Sequence, residues 1–239
     1  MFAGPNGSGK STIKELLPPQ WLGVYVNADD LERELKPRGG VDLAPFAISA
    51  TIGDLEQFLS NSTLHAGANS VGNAGKWALD GDRIAIVGAE INSYHASILA
   101  DFIRHRLLAS KTSFTFETVM SSPSKIDFLG LAHQAGYRTY LYYVATEDPE
   151  INVARVRHRV ALGGHPVPEA KIIDRYHRSL GLLDQAVQNC DRAYIFDNSG
   201  HERVWIAEAT SGNDIIARTD LLPEWFRRSL WDKFEAPGA

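Results

Sequence analysis

Gly4-Pro5-Asn6-Gly7-Ser8-Gly9-Lys10-Ser11 fits the phosphate-loop pattern G-x-x-x-x-G-K-[ST] without a mismatch. In such a loop, glycines at Gly4, Gly7 and Gly9 let successive backbone N–H groups turn inward around phosphate oxygens, with Asn6, Ser8 and Thr12 completing the cradle. The Lys10 ammonium reaches the β- and γ-phosphates, and the Ser11 hydroxyl is placed to ligate Mg²⁺. These residue types at this spacing point to a nucleotide-binding site with Mg²⁺ on Ser11.

Phosphoryl transfer also needs a carboxylate near the acceptor and cations over the transferring group. Asp29 and Asp30 follow an apolar segment, Gly23–Asn27, and on residue type alone helix capping and catalysis weigh equally for them. Glu117 and Thr118 end a second such segment, Ser113–Thr118. Glu90 is a further carboxylate to watch, with a solvated helix face as its plainer role. Arg155, Arg157 and Arg159 lead into Gly163-Gly164-His165-Pro166-Val167-Pro168, a layout that suits a lid closing cations over a phosphoryl group. Arg155 and Arg159, four apart, share a face, and Arg175 and Arg178 are candidates to join them. Asp197-Asn198-Ser199-Gly200 reads equally as a base-contacting turn and as a plain one.

The elements that must hold these groups follow from periodicity and turn signals. Thr12–Leu17 continues the loop as helix until Pro18-Pro19 stops it. Gly23–Asn27 is a strand, followed by a helix over Leu31–Leu35. Asp42–Leu59 has helical spacing, residues 61–76 are the least structured, and Ile84–Ala109 returns to helix. Ser113–Thr118 is a strand, Ser122–Gly136 a helix capped by Ser122 or Ser124, and Tyr137–Val144 an aromatic strand. A helix opens at Pro149, Glu169–Asn189 is another, and Arg192–Phe196 is a strand. Val204–Ala209 and Asp214–Arg218 pair around Ser211-Gly212-Asn213, and Pro223–Phe234 is an amphipathic helix for packing on the core, with binding of a partner as the alternative. The β-α-β order predicts an α/β fold with a parallel sheet. We expect one domain over residues 1–239, with a flap or insertion at 61–88 and a lid at 155–175. Only three residues precede Gly4, so the strand that normally launches the loop is either a stub or begins upstream.

Composition narrows the function classes. The 239 residues carry a formal charge of −5, which gives no basic face for nucleic acid. The lone Cys190 excludes an internal disulfide, fits a reducing compartment and reads as packing. No run of 18 apolar residues suggests a membrane span, and a cytoplasmic location is expected. The eight histidines show no metal-ligand spacing, and G-x-S-x-G is absent.

Taken together, GPNGSGKST at 4–12, V-N-A-D at 26–29, F-E-T at 116–118, the arginine-rich segment ending G-G-H-x-V-P at 155–168 and F-D-N-S at 196–199 resemble the zeta-toxin family of small-molecule kinases. The resemblance implies a P-loop fold like that of nucleoside-monophosphate kinases, with a helical lid. It also implies transfer of the ATP γ-phosphoryl to the amino-sugar 3′-hydroxyl of UDP-N-acetylglucosamine, and a protein antitoxin as a partner. It makes Asp29 the base, Lys10 and Ser11 the phosphate and Mg²⁺ residues, and Arg155 one lid arginine. Asn27, Glu90, Glu117 and Thr118 fall to the substrate side. A second lid arginine has no direct counterpart: the Pro168 register puts His165 near its place, leaving Arg159 and Arg175 as substitutes. The competing readings are a kinase of this fold acting on a nucleotide, an antibiotic or a dinucleotide, and a nucleotide-dependent switch with little catalysis.

Overall fold

A strand of two residues, β1 (Phe2–Ala3), launches the phosphate loop, and helix α1 (Lys10–Lys14) leaves it. In the computed structural model, residues 1–15, 17–70, 72–164, 166–212 and 214–235 are described. They divide into two compact units, one built from Met1–Leu17 with Glu117–Ala239 and the other from Pro18–Phe116. His165 and Asn213 lie outside the described residues.

The second unit opens with α2 (Pro19–Leu22) and β2 (Val24–Val26), which runs parallel to Phe114–Phe116 at the start of β6 (Phe114–Thr118). Helix α3 (Ala28–Arg38) begins earlier than its apolar residues suggest because the Asn27 side chain accepts from the Asp29 N–H, at 2.8 Å. Asn27 is therefore the cap, and neither Asp29 nor Asp30 is. The region expected as helix over 42–59 is instead β3 (Gly40–Asp42), a short 3₁₀ turn at Ala44–Phe46 and α4 (Ile52–Asn61). A reciprocal capping box between Thr51 and Asp54 fixes where α4 starts.

The stretch expected to lack structure, 61–76, contains α5 (Thr63–Ser70) and leads into a hairpin of β4 (Lys76–Asp80) and β5 (Arg83–Val87). Gly81, at φ 57°, sits in its two-residue turn. Ile84 and Ile86 are buried while their neighbours are not, a period of two, so this segment is strand and not the first turns of a long helix. The strands form a three-stranded antiparallel sheet, β3-β5-β4. The helix that follows, α6 (Ser93–Ala109), waits for the Asn92 cap, which places Glu90 in the connecting segment and not on a helix face.

The first unit resumes with Glu117 and Thr118 of β6, then α7 (Ser124–Gln134), β7 (Tyr140–Ala145), α8 (Pro149–Ala161), α9 (Glu169–Gly181), α10 (Leu183–Gln188), β8 (Arg192–Asp197), β9 (Val204–Thr210) and β10 (Asp214–Ala217). Neither Ser122 nor Ser124 caps α7; their hydroxyls bond each other at 3.1 Å. The expected Glu169–Asn189 helix breaks at Leu182 into α9 and α10. Its sheet runs β10-β9-β8-β7-β1-β6, parallel from β8 to β6 and antiparallel at β9 and β10. Within it β1 is central: Phe2 pairs with Glu117 and Tyr142, Ala3 with Thr118 and Tyr143, and both are buried.

Val153 and Val156 of α8 and Ile172 of α9 form the seam between those helices. The tail is α11 (Glu224–Phe226), a π-helical turn at Arg227–Trp231 and α12 (Asp232–Glu235), with Trp225, Phe226 and Leu230 buried. Trp225 donates from Nε1 to Asp197, at 2.7 Å. The fold is thus mixed α/β with a mostly parallel sheet flanked by helices. Cys190 is buried, and burial pushes its thiol up to about 12, which fits packing and leaves no thiolate nucleophile.

Candidate phosphate-binding site

The loop's backbone adopts values that side-chain-bearing residues avoid: φ is 141° at Gly4, 74° at Gly7 and 98° at Gly9. Space excludes side chains too. A Cβ on Gly4 would lie 2.0 Å from the Val144 carbonyl oxygen, one on Gly7 2.6 Å from the Asn152 carbonyl, and one on Gly9 2.3 Å from Asn198 Nδ2. Neighbouring amides hold the loop's carbonyls. Asn152 Nδ2 donates to the Asn6 carbonyl at 2.6 Å, and Asn198 Nδ2 to the Ser8 carbonyl at 2.8 Å. With carbonyls drawn toward these amides, the loop's N–H groups are left for a ligand.

Lys10 is buried, and its ammonium donates to the Gly4 and Pro5 carbonyls, each at 2.9 Å. Ser11 Oγ donates to the Glu117 carboxylate at 3.2 Å, Thr12 Oγ1 donates to the Gly9 carbonyl at 2.7 Å, and Arg203 Nη1 donates to Thr12 Oγ1 at 2.9 Å. A hydroxyl beside one carboxylate, at the mouth of a phosphate cradle, is the donor set Mg²⁺ takes when phosphate and water fill its remaining positions. Two buried donors of this unit, Ser8 Oγ and Arg155 Nη1, have no hydrogen-bond partner, and neither has the acceptor Asn6 Oδ1 in the loop. An unpaired buried donor costs about 1–3 kcal/mol, so an anionic ligand that satisfied them would be favoured. The residues present fit a nucleotide phosphate with its metal.

Electrostatics separate this site from a nearby concavity of about 710 Å³ lined by Glu147, Asp197, Ser199, Asp220, Arg227 and Trp231. Burial, with Asp197 beside it, raises the Glu147 carboxyl above its ordinary range. Three carboxylates there oppose a polyphosphate, whereas the loop presents backbone donors and an ammonium.

Helix α8 starts at the Asp148 cap and carries Arg155, half-buried, and Arg159, exposed. Arg155 Nη2 donates to the Gly200 carbonyl at 3.5 Å, in the same turn that supplies Asn198. Arg159 is held at the helix end, its carbonyl accepting from the Gly164 N–H at 2.9 Å. Arg157 and Arg178 are committed to surface pairs with Glu169 and Asp174, while Arg175 stands half-buried on α9.

The zeta-toxin family model matches residues 89–210, half of the chain. The chain belongs to the zeta-toxin family. An uncharacterized protein of Haemophilus influenzae is 26% identical over 175 residues, covering 73% of this chain and 89% of that protein. Among solved structures, a chain of the PezAT chromosomal toxin–antitoxin system of Streptococcus pneumoniae aligns with a TM-score of 0.48 and 14% identity, over 96% of this chain and 78% of that one. A chain from the AvrRxo1-ORF1:AvrRxo1-ORF2 crystal structure with sulphate ions gives 0.46 and 14%, over 90% of this chain and 65% of that one. The zeta-toxin chain described here thus spans slightly less than two thirds of the latter.

Of the residues singled out by sequence in this zeta-toxin family member, Lys10, Ser11, Thr12 and Glu117 come together around the loop, and Arg155 reaches the turn beside it. Thr118 Oγ1 accepts from the Met120 N–H at 3.0 Å and holds the strand's exit, where Met120 has φ 53°. Asn27, Asp29 and Glu90 belong to the other unit. There the Asn27 side-chain oxygen caps α3, the Asp29 carboxylate is exposed, and the Glu90 backbone is bonded in both directions by the Asn73 amide. Sequence reasoning missed Asn152 and Arg203. The signal for Asn152 was a lone amide beside Val153 and Val156 on the apolar face of α8; nothing local marks Arg203.

Proposed function

We propose that this zeta-toxin family member is an ATP-dependent kinase that transfers the γ-phosphoryl group to a hydroxyl of a nucleotide sugar such as UDP-N-acetylglucosamine. The observation that carries the kinase reading is the loop itself, with three glycines at positive φ, carbonyls tied back by Asn152 and Asn198, and Lys10 and Ser11 at its mouth. Family membership supports the phosphoryl transfer, and the motif resemblance alone supports the nucleotide sugar.

In this reading Lys10 exchanges its two carbonyl partners for phosphate oxygens, and Ser11 and Glu117 hold the metal side of the site. Mg²⁺, when bound, neutralises charge on the β- and γ-phosphates. Arg155, with Arg159 or Arg175 as its partner, places cationic charge against the transferring group. On the motif resemblance Asp29 is the candidate base and Glu90, Glu117 and Thr118 are candidate acceptor-side residues, while the Asn27 side chain, assigned to the acceptor by the same resemblance, is spent on the α3 cap. The segment 155–175 is the candidate lid. A protein antitoxin is the expected partner, and the cytoplasm, where ATP and nucleotide sugars meet, is the expected location.

The test incubates the purified protein with ATP, Mg²⁺ and UDP-N-acetylglucosamine, and in parallel with a metabolite extract, and looks by mass for the gain of one phosphate. Lys10→Ala is the control and should abolish the gain while leaving the fold intact. A phosphorylated metabolite other than the nucleotide sugar would keep the kinase and replace the acceptor. Tight ATP binding with no phosphorylated product would favour a nucleotide-dependent switch.

A further inference from the structure

Asn152 is fully buried on α8, one turn before Arg155, and each end of its amide is used. Nδ2 donates to the Asn6 carbonyl at 2.6 Å, and Oδ1 accepts from Thr146 Oγ1. The Thr146 carbonyl in turn accepts from the Tyr176 hydroxyl of α9, at 2.7 Å. A buried polar line therefore runs from α9 through Thr146 and Asn152 to the backbone of the phosphate loop. Where Asn152 meets the loop, only glycine fits at position 7. Burying an amide in an apolar seam is costly unless both its ends are paired, and here the pairing partner at one end is the loop itself.

We propose that Asn152 is a positioning residue for the nucleotide. It fixes the Asn6 carbonyl outward so that the loop's N–H groups face phosphate, and it couples the loop's shape to the helix that carries Arg155. The consequence is reciprocal: a nucleotide that organises the loop also organises α8, and a change in α8 alters phosphate affinity without touching the ligand. Thr146 orients the amide, selecting which end donates to the loop. The proposal rests on the nucleotide reading of the loop given above.

Asn152→Asp keeps the shape and the Thr146 contact but replaces the donor with an oxygen facing the Asn6 carbonyl. ATP affinity, measured by calorimetry, should fall by about tenfold or more, the effect of losing one buried hydrogen bond to the cradle. The melting temperature without nucleotide should fall too, because a buried carboxylate oxygen facing the Asn6 carbonyl goes unpaired, so affinity is read in the folded protein, and the rise that saturating ATP gives the wild type should shrink. Thr146→Val should shift ATP affinity the same way by less, and the double variant should bind no worse than Asn152→Asp alone. A merely structural role predicts the lower melting temperature with an unchanged affinity in the folded fraction. That pattern, or full additivity in the double variant, overturns the proposal. If Asn152→Asp does not fold, Thr146→Val decides: affinity of the folded protein within experimental error of the wild type sinks the proposal, and a clear loss of that affinity supports it. Should the wild type itself bind no ATP, the phosphate-loop reading falls and this inference with it. If the wild type binds ATP, Lys10→Ala does not, and Asn152→Asp binds like the wild type, only this inference falls.

Discussion

At the scale of single residues, two adjacent aspartates have different surroundings. Asp30 pairs with Arg33 on the surface of α3 at 3.1 Å, whereas the exposed Asp29 carboxylate has no hydrogen bond or ion pair among the described residues. A general base needs a free, ionised carboxylate, and its help is typically worth about 10²–10⁴ in rate. Asp29→Asn should therefore lose at least about a hundredfold in kcat with ATP affinity nearly unchanged, and Asp30→Asn should change neither kcat nor Tm appreciably. An active Asp29→Asn enzyme would remove Asp29 from the mechanism. Asn27 offers a complementary check, because its side chain is occupied as a cap. Asn27→Ala should destabilise the fold by about 1 kcal/mol in urea titration, and a large loss of kcat/KM at equal stability would return it to the substrate side. If Arg155 acts as proposed, on charge that develops in the transition state, its replacement by Ala should lower kcat far more than ATP affinity.

At the scale of elements, the start of α6 contains a pH-sensitive contact. His95, in the first turn, is fully buried; its Nδ1 accepts from the Asn92 N–H at 3.3 Å, and its ring lies 6.3 Å from that of Trp77. Burial lowers its pKa below the ordinary value of 6.5; His65 adds to the shift, and hydrogen bonding with the Asn73 and Ala74 backbone opposes it. Protonation is thus easier in the unfolded chain than in the folded one, so acid favours unfolding. The contribution of His95 is complete above about pH 7 and shrinks as pH falls through 6.5 toward the lower folded-state value. Urea titrations at pH 7.5 and 5.5 should show the loss, and His95→Gln should reduce the difference between them; an undiminished difference would place the acid sensitivity elsewhere. This element was also where periodicity misled. Ile84 to Ala109 holds enough apolar residues for one long helix, and only the pairing of β5 with β3 and β4 showed that its first part alternates.

At the scale of the whole molecule, the unit that holds the phosphate loop is assembled from both ends of the sequence, with β1 as the joint. Phe2 is buried, 5.4 Å from the ring of Tyr142, and its strand sits between β7 and β6. Phe2→Ala should cost about 3–5 kcal/mol by thermal or urea unfolding, and should weaken ATP binding as well, since the strand directs the loop. A stability loss under 1 kcal/mol would show that β1 is not the joint. Among the described residues no helix is long and apolar enough to cross a membrane.

The amino-acid sequence by itself determined what depends on near neighbours. The phosphate loop was legible because its glycines, lysine and serine do their work within eight consecutive positions, and positive φ at Gly4, Gly7 and Gly9 is a local demand that only glycine meets cheaply. The strands ending at Val26, Thr118 and Asp197 were likewise legible, since apolar runs bounded by turn residues carry their own signal. Tertiary structure decided what holds the loop in shape. Asn152 acts on Asn6 across 146 residues and Asn198 on Ser8 across 190, and no spacing rule connects an amide to a carbonyl that far along the chain. It also decided that Asn27 spends its side chain on a helix end, because a cap and a ligand-binding amide look alike until the N–H groups they could satisfy are placed in space.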